Sequence, residues 1–292
     1  MHFTGRTWRP PYEKNSVILQ VTSGCTYGKC RFCSLYAGEP FRMSPLEEIE
    51  EDLAEIRRYQ PRARRVFWTG GNPFAMNYEN LSIRARLVRE YLPKCQTIAM
   101  FASIRDIQKK ELWQLRQLRA MGINGLSIGT ERGDEETLRL ANKGYTPQDI
   151  LEQCRRLDAA DIEYYFVYMT GLAGKGNGRR NARRSAEVYS QLNPYLISVD
   201  SLTLFPDTAL YQMANCGAFQ PAGERERLQE LQCFVRELQI KTRLLADTKS
   251  NYYPLTAVLP REKKRVVREL QDVLDSATEE EMQAYRDRLQ SL

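Results

Sequence analysis

From residue 16 onward the chain alternates short runs rich in β-branched and aromatic residues with longer stretches whose apolar residues recur at helical spacing. That pattern predicts repeated βα units and a parallel sheet. VILQV sits inside a first strand expected over 16–23. LEEIEEDLAEIRRY repeats its apolar positions as a helix does, and Ser44-Pro45-Leu46-Glu47 ahead of it has the form of a capping box with proline at the first helical position. RVFW predicts a second strand ending in Gly70-Gly71, NYENLSIRARLVREYL a helix, 96–103 a third strand, and 106–121 a helix stopped by Gly122. A fourth strand is expected over 126–130, with helices over 134–141 and from Thr146, where Thr-Pro-Gln-Asp again resembles a helix start. A fifth strand over 163–169 runs into GLAGKGNG, RNARRSAEVYSQLN supplies a helix, and a sixth strand over 196–205 ends at Pro206.

Six βα units without an internal repeat predict the α/β class, as a partial (β/α)6 TIM-like barrel rather than a doubly wound sheet. In either architecture, ligands sit at the carboxyl ends of the strands. Beyond Gly217 the chain turns to charged helical stretches, so 1–216 is expected to form the barrel and 217–292 a C-terminal helical extension that packs on it. A coiled-coil partner helix is the alternative, but Pro254 and Pro260 break the pattern.

Hydrophobic residues make up 42% of the 292 positions and charged residues 27%, as in a soluble globular protein. No apolar run approaches the roughly 20 residues needed to cross a bilayer, and the first residues lack the apolar core of an export signal. With seven cysteines and no paired spacing, this predicts a reducing cytoplasm and no membrane. The net charge of +6 allows anionic partners. The run Arg179, Arg180, Arg183, Arg184 could grip nucleic acid phosphates, but arginines on one helix are more often a solvated face, and no RNA-binding signature accompanies them. A single histidine leaves proton transfers to Tyr, Cys, Asp, Glu or Lys.

The candidate chemistry lies in GCTYGKCRFC, where Cys25, Cys30 and Cys33 are spaced C-x4-C-x2-C directly after the first strand. A structural zinc site is closed by four protein ligands, and here His2 is far off in sequence. A cubane iron–sulfur cluster takes one thiolate per iron, so three cysteines leave one iron open. Cys30 and Cys33 alone could form a thioredoxin-type pair, which leaves Cys25 unused. A zinc ion completed by a remote cysteine would also accommodate the spacing, as would three merely buried cysteines. The remaining four, Cys95, Cys154, Cys216 and Cys233, are expected to be small buried hydrophobes.

Three cysteines after a first strand, with Phe32 just before the last, resemble the cluster loop of the radical S-adenosylmethionine (SAM) superfamily, whose usual C-x3-C-x2-C spacing is one residue shorter. Thr69-Gly70-Gly71-Asn72-Pro73 resembles its GGE motif, with Asn72 where an acidic residue is common, and LSIGTERG over 126–133 resembles its fourth-strand motif. The resemblance implies a [4Fe-4S] cluster on Cys25, Cys30 and Cys33 whose open iron chelates the amino and carboxylate groups of SAM. One electron from a donor such as flavodoxin or ferredoxin would then release a 5′-deoxyadenosyl radical that abstracts hydrogen from a substrate the sequence does not identify. The rival is an iron–sulfur electron-transfer or scaffold protein, which needs a fourth cysteine folded back onto the cluster and no SAM pocket.

By the same resemblance, Phe32 flanks the cofactor, Gly70, Gly71 and the backbone of Asn72 contact the methionine amino group, and Glu131 faces the ribose or amino-acid part. Lys143 would take the carboxylate, and Ser103 and Arg105, at the end of the third strand, would also face the cofactor. Tyr168, Met169, Thr170 and Gly171 would line the adenine. Each has a plainer role open to it: a strand-to-loop turn for the glycines, an ion pair for Glu131, solvent for Lys143. GLAGKGNG lacks the Ser or Thr of a phosphate loop and is expected to be a mobile connection at the mouth. Substrate is expected to pass 171–184 and the aromatic stretch 249–260, with Lys249, Asn251, Tyr252 and Tyr253, unless that stretch merely packs on the barrel.

Overall fold

The structure, a computed structural model, describes residues 1–289, so 290–292 of the expected C-terminal extension lie outside the described residues. The chain divides into two compact units, one of Met1–Gly28, Leu35–Gly129 and Glu152–Tyr164, the other of Lys29–Ser34, Thr130–Leu151 and the chain from Tyr165 onward. Among the described residues no helix is long and apolar enough to cross a membrane.

The first unit holds β1 (Val17–Gln20), the short antiparallel pair β2 (Thr22–Ser23) and β3 (Arg42–Met43), α1 (Leu46–Tyr59), β4 (Arg65–Thr69), α2 (Tyr78–Tyr91), β5 (Thr97–Ala102), α3 (Ile104–Gln108), α4 (Leu112–Ala120) and most of β6 (Ile123–Glu131). β1, β4, β5 and β6 pair in that order, all parallel, with Leu19 beside Trp68, Trp68 beside Met100 and Met100 beside Leu126. These residues are fully buried, as strands covered on both faces require. Ser44 does not cap α1: its hydroxyl donates to the Gln20 carbonyl, and the helix starts after Pro45 without a side-chain cap. The single helix expected over 106–121 is two, because Ser103 with Asp106 and Glu111 with Gln114 each form a capping box and start a helix of their own.

α5 (Glu135–Leu140) and most of the chain from β7 onward belong to the second unit, while α6 (Pro147–Ala159) runs from one unit into the other. β7 (Tyr164–Thr170) is followed by α7 (Gly178–Tyr189), β8 (Leu196–Ser201), α8 (Ala209–Asn215) and α9 (Glu224–Glu237). β8 ends at Ser201 rather than at 205 because its partner β7 ends at Thr170, the register partner of Ser201. The tail is helical in α9, α10 (Lys263–Ser276) and α11 (Glu279–Asp287), and also contributes β9 (Thr242–Ala246), parallel to β8, and β10 (Leu255–Leu259), antiparallel to β9. Both strands alternate buried and exposed residues, a period-two signal too short to stand out between helices.

The core of the second unit is organised around Glu230 of α9, which is fully buried. Its carboxylate accepts from the Arg132 guanidinium, the Tyr168 hydroxyl at 3.0 Å, the Asn181 amide at 2.8 Å and the Gly171 N–H at 2.9 Å. Arg132 also lies over the Tyr168 ring at 4.8 Å, and that ring stacks on Phe234 at 4.0 Å. Burial and the Glu230 charge push the Tyr168 phenol well above its usual range, so it remains a neutral donor. GLAGKGNG is tied down through Gly171, and again where the Lys175 N–H donates to the Gln220 carbonyl at 2.8 Å. The glycine-rich loop is therefore part of this packing.

Glu230→Leu strands a buried guanidinium, so a loss of about 3–5 kcal/mol is expected in urea denaturation. Arg132→Met with Glu230→Leu should recover most of that loss; a double variant as unstable as the single would contradict the ion-pair account.

Candidate active site

The cysteine loop begins in the first unit, where β2 leads into Gly24 and Cys25. The Gly71 N–H donates to the Gly24 carbonyl at 2.9 Å, so two backbone segments touch directly. A Cβ on Gly71 would lie 2.7 Å from the Cys25 Cα and closer still to the Gly24 oxygen, and one on Gly70, whose φ is 129°, would lie 2.5 Å from the Thr22 carbonyl oxygen. Both positions exclude any side chain. The clearance these glycines provide is taken up here by the chain's own cysteine loop.

Asn72 follows and is buried. Its Oδ1 accepts the Thr26 N–H at 3.0 Å, and its Nδ2 donates to the Thr26 hydroxyl at 2.7 Å and to Asp106 Oδ2 at 2.9 Å. Burial pushes the Asp106 carboxyl up, against the bonds from Asn72 and Ser103 and the charge of Lys110. Lys110 is itself lowered to about 8 by burial, which outweighs Asp106. Ser103 is the N-cap of α3, and the Arg105 guanidinium lies 4.7 Å from the centre of the Tyr27 ring. Asn72, Ser103 and Arg105 thus all hold the first limb of the loop, directly or through Asp106.

The second limb, Lys29–Ser34, lies in the other unit. The Arg31 N–H donates to the Ala141 carbonyl at 3.0 Å, its guanidinium to the Leu140 carbonyl at 3.1 Å, and the Asn142 amide to the Lys29 carbonyl at 2.8 Å. The Leu210 N–H caps the Arg31 carbonyl at 2.7 Å. Phe32 is buried with Ala141, Leu172, Leu202, Leu210 and Phe219, and Cys30 and Met169 pack against that cluster.

Lys143 and Glu131 meet in the same unit. Lys143 Nζ is 3.4 Å from Glu131 Oε1, and both side chains are about nine-tenths buried. Burial opposes the Lys143 ammonium, but the charges of Tyr145, Cys30, Glu131 and Cys33 outweigh it and hold its pKa well above the ordinary lysine range. Burial also pushes the Tyr145 phenol well up and keeps it neutral. Glu131 Oε2 is buried without a hydrogen-bond partner, and Glu131 sits in the left-handed backbone region at φ 58°. Glu131 thus combines a strained backbone with a buried carboxylate oxygen able to accept a further hydrogen bond.

Sequence reading passed over Asp200, the register partner of Met169. Burial, with the charges of Glu131 and Asp247, pushes its carboxyl up to about 6 against hydrogen bonds from Thr248 and Ser250. It also passed over Asp106, although Ser103-x-x-Asp106 is a capping-box signature that could have found it. Ser250 and Asn251 are buried around β8: the Ser201 N–H donates to Ser250 Oγ at 3.0 Å and the Asn251 amide to the Val199 carbonyl at 2.7 Å. Cys95, Cys154 and Cys233 are buried as expected, but Cys216 is exposed because it occupies the C-cap of α8.

All seven cysteines are free thiols, and among the described residues no three His, Cys, Asp or Glu side chains are drawn together into a metal site. By chemistry alone, three thiols suit a cluster that takes one thiolate per iron. Cys25 and Cys30 are half-buried and Cys33 exposed, two of them face a buried ammonium, and Glu131 offers an unsatisfied acceptor.

A family model described as the Radical SAM superfamily matches residues 19–182, more than half of the chain. The chain is 22% identical over 185 residues to the heme chaperone HemW of Bacillus subtilis (strain 168), covering 62% of this chain and 48% of that protein, so it spans about half the length of this curated relative. Among solved structures it is similar to the Escherichia coli radical SAM enzyme coproporphyrinogen III oxidase, HemN, with a TM-score of 0.55 at 19% identity over 76% of this chain and 51% of that one. Methylornithine synthase, PylB, gives a TM-score of 0.56 at 16% identity over 92% and 85% of the two chains. The methyltransferase TsrM from Kitasatospora setae, solved with cobalamin and a [4Fe-4S] cluster bound, gives 0.55 at 17% identity over 68% and 37%. These likenesses establish the fold expected from the sequence, an α/β partial (β/α)6 TIM-like barrel, while the C-terminal extension adds β9 and β10 to its helices. The cysteine motif, the fold and the family match agree, and the chain belongs to the radical SAM superfamily.

Proposed function

We propose that the chain cleaves SAM reductively and uses the product radical to take hydrogen from a substrate, with Cys25, Cys30 and Cys33 as the cluster ligands. When bound, the [4Fe-4S] cluster supplies the electron that breaks the sulfonium and yields a 5′-deoxyadenosyl radical, the electron coming from a flavodoxin or ferredoxin. The observation that carries this is the motif of three thiols without a fourth ligand in sequence, joined to the buried Lys143–Glu131 pair with its unsatisfied oxygen.

Each side chain then has a task set by its chemistry. Lys143, held protonated, offers the cation for the SAM carboxylate. Glu131 Oε2 accepts from a ribose hydroxyl, which satisfies a buried oxygen that is otherwise alone. Met169, packed against the cluster that holds Phe32, gives the adenine an apolar wall. The backbone of Gly70, Gly71 and Asn72 takes the methionine amino group, with Ser103 and Arg105 shaping that wall. Asp200, register partner of Met169 and pushed up to about 6 by burial, is the candidate to hold or release a proton at the substrate. Tight packing of 171–178 and 250–251 limits water at the site, as radical chemistry requires.

Anaerobically reconstituted protein, reduced with dithionite and mixed with SAM, is expected to form 5′-deoxyadenosine; a fully loaded cluster that forms none contradicts the proposal. Cys25→Ala, Cys30→Ala and Cys33→Ala should each abolish iron binding, whereas Cys95→Ala and Cys216→Ala should leave it intact.

A second test concerns Asp200. Its folded pKa is raised to about 6 from 3.8, so the folded state holds the proton more tightly, and stability present below the unfolded pKa is lost as pH rises through about 6. Asp200→Asn should therefore become more stable than the wild type by about 1 kcal/mol or more as pH rises from 5 to 7, then level off. A difference that does not vary with pH would show that Asp200 titrates in its ordinary range.

A further inference from the structure

We infer, on the assignment of Cys25 as a cluster ligand, that Asn72 and Asp106 form a positioning pair that locks Thr26 and so fixes the direction in which Cys25 leaves the backbone. Thr26 is gripped at two points by one amide: its N–H by Asn72 Oδ1 at 3.0 Å and its hydroxyl by Asn72 Nδ2 at 2.7 Å. A grip on backbone and side chain together fixes the orientation of the residue as well as its place.

Asp106 decides which way round the amide sits. The Asn72 Nδ2 must face the Asp106 carboxylate, 2.9 Å away, because the alternative would set two acceptor oxygens against each other in a buried site. Oδ1 is then the only atom left for the Thr26 N–H. Asp106 is anchored in turn: its Oδ2 accepts the Ser103 N–H at 2.9 Å, and Lys110 grips the Asp106 carbonyl at 3.2 Å and the Phe74 carbonyl at 2.6 Å. Both N–H groups of the Asn72 amide are thereby engaged, and only an amide of this length supplies a donor for Asp106 and an acceptor for Thr26 at once. The backbone contact from Gly71 to Gly24 fixes the loop on the other side of Cys25. Cys25 therefore departs between two fixed residues.

Two readouts on the full-length protein test this. In the iron-free chain, alkylation of each cysteine by iodoacetamide is followed by peptide mass spectrometry. Asn72→Ala should raise the Cys25 rate about tenfold, the effect expected from losing its grip on Thr26, while Cys30 and Cys33 are unchanged. In the reconstituted protein, iron release to a chelator under argon should be slow in the wild type and in the conservative Asp106→Asn, about tenfold faster in Asn72→Ala, and fastest in Asn72→Asp. Asn72→Asp places two buried carboxylates together, so its release should slow again as pH falls and one of them is protonated. Alkylation rates that rise equally at all three cysteines, or at none, would overturn the positioning role. A wild type that never loads a cluster would instead count against the proposed reaction, and the alkylation pattern would still decide the role of Asn72.

Discussion

The site in the first unit depends on a contact that no side chain could survive. Gly71 lies against Gly24 and Cys25 so closely that a Cβ would fall 2.7 Å from the Cys25 Cα, and Gly70 is similarly confined against Thr22. With the Gly71 N–H bonded to the Gly24 carbonyl, β1, β2 and β4 converge where the first cysteine emerges. Asn72 comes next in the chain and inherits its place from that contact, which is why its amide can reach Thr26 and Asp106 together. A single added methyl would separate these segments.

In the second unit, neighbouring residues face opposite charges. Glu131 pairs with Lys143, and Arg132, next in sequence, pairs with Glu230. The left-handed backbone at Glu131 is strained for a residue with a side chain, and it occurs where an acidic and a basic group find different buried partners. The two carboxylates differ in their partners. Glu230 accepts from four groups, whereas Glu131 keeps one oxygen unsatisfied. Burying a carboxylate is tolerated where donors surround it, as at Glu230, whereas the open oxygen of Glu131 is the basis of the cofactor contact proposed for it.

Local patterns in the sequence foretold much of this. Three cysteines in nine residues, the strand-ending glycines and the helical periodicities are all visible without a structure, because each is set by residues close together in the chain. What escaped depends on distant partners. Ser44 gave up its cap to the Gln20 carbonyl, and β9 and β10 form from segments whose alternation gains meaning only against a neighbouring strand. Asp106 and Asp200 look like ordinary surface acids until burial and their neighbours are known. Glu230, in a charged helical stretch, gives no sign that it is the centre of a core.

In the proposed reaction, three protein thiolates leave one iron of the cluster open to SAM. Mössbauer spectroscopy of the protein reconstituted with iron-57, recorded with and without SAM, tests it directly. One iron site of the four is expected to change its isomer shift when SAM binds, with the other three unaltered. Four equivalent sites that ignore SAM would mean a closed cluster and would contradict this account of the protein.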